Sequence, residues 1–251
     1  MSCVNVRGCP IGEGRPKTIL PIVEGTEAAI LEKAAQFSTL QADCVEWRVD
    51  YFEGARAPGA VARCLAKMRV ILRDKLLLVT FSTKTEGGEQ ALSHPEYLSF
   101  LSLILDTDCA DLLDIEFFTA GADLPKLVEQ AHSTGVAVVC SSHDFAKTPP
   151  RAELVCRMVQ MQQAGADLPK LAVMPQCRAD VLELLSATAE MADLHPETPV
   201  ITMSMGALGA VSRLAGETFG SAMTFANPGQ ASAPGQVSLN IVNEVLDALH
   251  L

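Results

Sequence analysis

Aromatic residues are scarce: one Trp, two Tyr and nine Phe make up 5% of 251 residues. With 49% hydrophobic residues overall, the core must be largely aliphatic. Positive charge is also in short supply, because 19 Lys and Arg face 30 Asp and Glu for a formal net charge of −11. That balance argues against nucleic acid or an anionic membrane as a partner, since both reward clusters of Lys and Arg. No apolar run approaches the roughly 20 residues of a membrane span. The opening MSCVNVRGCPIGEGRPK has charges, Gly and Pro where a signal peptide has its apolar stretch. A cytoplasmic protein is expected. CxxC pairs are missing, and the eight cysteines, at 3, 9, 44, 64, 109, 140, 156 and 177, lie mostly in apolar segments. They read as small core residues kept reduced. Cys140 and His143 have a ligand-like spacing, but no second pair accompanies them, so no metal site is expected.

What is present is an alternation. Eight short β-rich apolar runs, TILPIVEG, CVEWRVD, KLLLVTFST, DLLDIEFF, VAVVCSSHD, LPKLAVMP, PVITMSMG and AMTFA, are separated by stretches of helical period. Ile30, Ala34 and Phe37 share one helical face, as do Leu154, Met158 and Met161. Strands too apolar to have a wet face are parallel strands buried on both sides. Eight such strand-helix units predict an α/β protein, a (β/α)8 TIM barrel forming a single domain over 1–251, with an irregular N-terminal segment of about 1–17. An open doubly wound sheet is the alternative, although no G-x-G-x-x-G turn comes after the first strand.

The octapeptide AGADLPKL occurs twice, at 120–127 and 164–171. VEQAHSTG succeeds the first copy, so Asp123 reads as a helix N-cap with Pro125 in the first turn, which gives Lys126 to a surface helix. The apolar run AVMP succeeds the second copy and makes it a strand. Lys170 then lies inside a buried strand, where it must be neutral, paired or open to a cavity. Desolvation and a nearby cation push a lysine pKa down, which turns the amine into a nucleophile for carbonyl carbon. His143 ends the preceding strand, at the barrel mouth where catalytic groups gather. Period two puts Glu46, Arg48 and Asp50 on one side of their strand, as a ligand site or a rim ion-pair network. Glu86 stands beside Gly87 and Gly88, Met203 and Met205 share a strand face, and Arg213 has the fork geometry to clamp a carboxylate. NPGQASAPGQ reads as a loop able to close over a ligand.

EWRVD, EGGEQ, SSHDF with KTP, ADLPKLAVMP, ITMSMG, SRLAGETFGSAMTF and SAPGQ, in this order from about residue 12 to the C-terminus, resemble the type I 3-dehydroquinate dehydratase family. The resemblance implies a homodimeric (β/α)8 barrel that removes water from 3-dehydroquinate, giving 3-dehydroshikimate, without metal or organic cofactor. It assigns Lys170 the Schiff base with the C3 ketone, His143 the general acid and base role, and Glu86 the orientation of His143. Glu46 and Arg48 would hold ring hydroxyls, and Arg213 the carboxylate. Ser232 and Gln236 would close a loop over the substrate, with Met203 and Met205 packed against the ring. These roles predict a pH-rate profile with an acid limb in the histidine range.

Two positions depart from the family pattern. Pro21 stands where the first strand typically ends in serine, and Ser82 stands where an arginine contacts substrate. By strand alternation Lys84 shares the face of Ser82 and is expected to replace part of the lost charge. The departures keep two other readings open: a Schiff-base lyase for a related hydroxy-keto acid, and a non-catalytic ligand-binding relative.

Overall fold

The computed structural model describes residues 2–229 and 235–250. Its barrel strands are β3 Lys17–Ile22, β4 Cys44–Arg48, β5 Leu76–Thr80, β6 Leu112–Glu116, β7 Ala137–Asp144, β8 Leu168–Val173, β9 Ile201–Ser204 and β10 Met223–Asn227. They pair in parallel in the order β10-β3-β4-β5-β6-β7-β8-β9. The two ends of this sheet meet through the bridge between Val200 and Ser221, where the Ala222 N–H donates to Val200 O at 2.8 Å. A ninth, two-residue strand, β11 Val237–Ser238, adds to β10. The closed (β/α)8 barrel is therefore the fold, and the open-sheet alternative falls.

Along each strand the side chains alternate between two apolar layers. Leu77, Val79, Leu113, Ile115, Val138, Cys140 and Leu171 face outward against the helices. Ile19, Cys44, Leu76, Leu78, Leu112, Val139, Leu168 and Ile201 face the barrel interior. Each Leu or Ile fully buried in these layers stabilises the fold by about 1.5–3 kcal/mol. The helices bury the stripes read from the sequence: Ile30, Ala34 and Phe37 in Glu27–Ser38, and Leu154, Met158 and Met161 in Arg151–Gln163.

The N-terminal segment, expected to be irregular, contains an antiparallel hairpin of β1 Val4–Val6 and β2 Cys9–Ile11. Val6 and Ile11 join the interior layer at its lower, N-terminal end, so the hairpin plugs the floor of the barrel. The cysteines also differ from expectation. Cys44, Cys64 and Cys140 are buried, Cys9 and Cys109 are half-buried, and Cys3, Cys156 and Cys177 are exposed; all eight are free thiols. No described helix is long and apolar enough to cross a membrane.

Candidate active site

The inward face of each strand is apolar below and polar above. Period two carries Cys44 to Glu46 and Arg48, Leu78 to Thr80, Leu112 to Asp114, Val139 to Ser141 and His143, and Leu168 to Lys170. A cavity of about 610 Å³, open at the C-terminal mouth, results. Pro21, Glu46, Arg48, Ser82, Glu86, His143, Lys170, Met203, Met205, Arg213 and Gln236 all line it. Ser232 lies outside the described residues. Thr80, Phe145, Ala172 and Phe225 also line the cavity, although nothing in the sequence singles them out.

Lys170 is 4% exposed, and its Nζ donates to Asp114 Oδ2 at 2.9 Å. Ser141 Oγ donates to the other oxygen at 2.6 Å, and the Phe225 ring centroid lies 5.1 Å from Nζ. Burial works against the ammonium, but Asp114 and then Glu46 outweigh it and raise the Lys170 pKa. This corrects the expectation of a lysine depressed by desolvation and cations. Arg48 does push downward, yet the two carboxylates win. The resting amine is a charged, fixed group, and an ammonium is not nucleophilic until it sheds a proton.

His143 and Glu86 form a buried couple. The imidazole Nδ1 is 2.8 Å from Glu86 Oε2, and the same oxygen accepts the His143 backbone N–H at 3.1 Å. Burial, and next Lys170, push His143 down to about 3, while burial, and next Asp114, push Glu86 up to about 8. Both shifts oppose charge separation, which favours a neutral imidazole beside a protonated carboxyl over an imidazolium-carboxylate pair. When that proton leaves, Glu86 accepts from Nδ1–H and Nε2 carries the lone pair. An acid limb, if His143 has the role the resemblance implies, would belong to the couple rather than to His143 alone.

Glu46 accepts a hydrogen bond from Thr80 Oγ1 at 2.8 Å; burial raises its pKa against Lys170 and Arg48. Arg48 and Asp50 form a bidentate pair, with both N–H···O distances at 2.8 Å. Asp50 is fully buried on the 3-10 turn Val49–Tyr51 and does not line the cavity. EWRVD thus divides: Glu46 and Arg48 face the cavity, and Asp50 braces Arg48 from behind. Arg213 sits in the one-turn helix Val211–Leu214 and is 2% exposed; burial lowers its pKa to about 10, so it is cationic at neutral pH. Its Nη1 is 3.6 Å from Met203 Sδ.

Lys84 does not share the face of Ser82. The strand ends at Thr80, and Lys84 is exposed on the 3-10 turn Lys84–Glu86, away from the cavity. Cys140 packs in the outer layer while His143 faces inward, so their spacing puts them on opposite sides of β7.

Comparison with known proteins gives a consistent answer. Residues 18–251 match the model of the type I 3-dehydroquinase family. The 3-dehydroquinate dehydratase of Bacillus licheniformis is 47% identical over 247 residues, which cover 98% of this chain and 97% of that protein. The Bacillus subtilis protein of the same name is 46% identical over 250 residues, covering 100% and 98%. Among solved structures, the type I 3-dehydroquinate dehydratase of Clostridium difficile, with covalent modified comenic acid, superposes with a TM-score of 0.96 at 43% identity, covering 99% of this chain and 98% of that one. The Geobacillus kaustophilus 3-dehydroquinate dehydratase gives 0.94 at 36% identity, with 99% and 96% covered. On the match over 18–251 and these full-length relatives, the chain belongs to the type I 3-dehydroquinase family.

Proposed function

We propose that this protein eliminates water from 3-dehydroquinate to give 3-dehydroshikimate through an imine on Lys170. The observation that carries the reading is one buried amine facing an imidazole-carboxylate couple in a single cavity that also holds two guanidinium groups. Relatives named 3-dehydroquinate dehydratase support the substrate, and the comenic acid structure of one relative fits a reactive side chain in such a cavity.

Arg213 meets the substrate carboxylate, a favourable exchange for a guanidinium already stripped of water. Lys170 passes its extra proton to His143 in its base form, and the free amine adds to the C3 carbonyl. His143 returns the proton to the carbinolamine oxygen, water departs and the iminium forms. Asp114, which holds the resting ammonium, and Glu46, whose charge favours it, also stabilise the iminium charge. The iminium withdraws electrons, so His143 can take the proton at C2, and the resulting enamine expels the C1 hydroxyl as that proton is returned to it. Water then hydrolyses the imine and frees Lys170. Pro21 and Ser82 face the same cavity and supply one small hydroxyl and no charge, so the cationic contacts fall to Arg48 and Arg213. A homodimer in the cytoplasm completes the proposal, checked by analytical ultracentrifugation for the assembly.

The test combines turnover and trapping. Incubation with 3-dehydroquinate should raise enone absorbance, and borohydride should fix a mass increase on the peptide that contains Lys170. Carbon-carbon cleavage products would instead mark a different Schiff-base lyase. Neither adduct nor turnover would mark a binding protein.

A further inference from the structure

Glu116, the last residue of β6, is 1% exposed and does not line the cavity. A carboxylate buried there is costly unless donors are aimed at it, and three are. Its Oε1 accepts the Thr83 backbone N–H at 2.7 Å, and its Oε2 accepts the hydroxyls of Thr83 at 2.8 Å and Thr119 at 2.6 Å. Its own N–H donates to the buried Tyr97 hydroxyl at 2.8 Å, which fixes the end of the strand. Packing alone needs no charge at this place, because an apolar side chain would fill it without the desolvation cost.

Thr83 is the hub of the turn that carries Glu86. Its carbonyl accepts the N–H groups of Glu86 and Gly88, each at 2.9 Å. The turn is short, with nothing regular on either side: β5 ends at Thr80 and the next helix starts at His94. It is closed from above as well, since a Cβ on Gly87, at φ +80°, would lie 2.5 Å from the Phe145 ring. A continuous chain of contacts thus runs from Glu116 through Thr83 and Glu86 to His143 Nδ1.

We propose that Glu116 is the positioning residue for Glu86: by gripping both the N–H and the hydroxyl of Thr83 it sets where the Glu86 carboxylate stands, and so how His143 is aimed. This rests on the roles given above to Glu86 and His143. Glu116 touches no substrate and acts entirely through the turn.

A double-mutant cycle with 3-dehydroquinate on the full chain tests it. Glu116→Ala should lower kcat about tenfold or more with KM within about twofold, because the substrate contacts of Arg48 and Arg213 remain. Glu116→Gln should recover most of the loss, since its amide oxygen still accepts from Thr83 N–H and the hydroxyls can turn to accept from its NH2. In a Glu86→Ala background, Glu116→Ala should cost less than about twofold, as there is no carboxylate left to aim. An equal loss in both backgrounds, or a loss confined to KM, overturns the proposal. If Glu116→Ala does not fold, Thr83→Val repeats the cycle with a smaller loss of about threefold in kcat, again absent without Glu86. Absence of turnover in the wild-type protein would strike the dehydratase reading itself, whereas an additive cycle with wild-type turnover intact strikes this inference alone.

Discussion

The two copies of AGADLPKL begin alike and end in different structures. Gly121 and Gly165 both take positive φ, at 53° and 92°. Asp123 and Asp167 each pair with a histidine, at 2.9 Å from His94 and 2.8 Å from His132. From there the copies part. Leu124 and Pro125 open the helix Leu124–Ser133, while Leu168 and Pro169 open β8. Proline fits both, because its fixed φ suits the first turn of a helix and its missing N–H can be tolerated where a strand begins. The residues after each copy decide between them: VEQAH has one apolar stripe, and AVMP is apolar throughout. Lys126 consequently stands in water and Lys170 beside Asp114. An identical local sequence can thus leave the element undecided, and the chemistry of a side chain with it.

The largest effect should come from the lysines themselves. Lys170→Ala should lower turnover by on the order of 10⁴-fold or more and abolish the borohydride-fixed adduct. Lys126→Ala should leave both within about twofold. An adduct that vanishes with Lys126 instead would erase the distinction between the copies.

Asp114 is what makes the environment of the second lysine, so the next test removes it. Asp114→Asn leaves a buried ammonium without its carboxylate and should cost about 3–5 kcal/mol in urea unfolding at neutral pH. Since Asp114 raises the Lys170 pKa, the stability from this pair is present below the ordinary lysine range and is lost as pH rises through the raised value. The variant should therefore lose the alkaline part of that dependence, and its amine should become trappable at lower pH. Unchanged trapping across pH would show that Asp114 does not control the amine.

Glu86→Gln addresses the couple beside Lys170. Without the carboxylate beside Nδ1, burial and then Lys170 still hold the imidazole down against Asp114, and His143 keeps its base form to lower pH. The acid limb of kcat/KM should move down by about one unit or more, while the plateau falls about 10- to 100-fold as the imidazole loses its orienter. A limb that stays in place would separate Glu86 from the titration. The smallest effect concerns Lys84: because it is exposed away from the cavity, Lys84→Ala should change kcat/KM by no more than about twofold. A tenfold loss would restore it as a substitute for the arginine that Ser82 replaces.

These residues also mark where the sequence is legible. The eight barrel strands announce themselves as apolar runs, and the alternation inside them places Glu46, Arg48, His143 and Lys170 on the inward face without reference to any structure. The same rule fails once a strand has ended. Period two, continued past Arg48 and Thr80, misplaces Asp50 and Lys84, because each lies on a 3-10 turn that breaks the parity. Asp114 is hidden for a different reason. DLLDIEFF gives its carboxylate an inward register, but its partner Lys170 comes 56 residues later and across β7, a contact that only barrel closure creates. The hairpin at the N-terminus escapes notice because three-residue strands are too short to show a period, and only two of its apolar side chains, Val6 and Ile11, are buried.

That hairpin turns the barrel into a vessel with a bottom. Val6 and Ile11 seal the floor, so traffic cannot pass through from end to end, and whatever enters at the mouth leaves by the mouth. On the function proposed above, a product still seated above Lys170 would block the next substrate. On that dehydratase reading, inhibition by product should be competitive with substrate, and the pace at which that product is consumed would set how often this door is free.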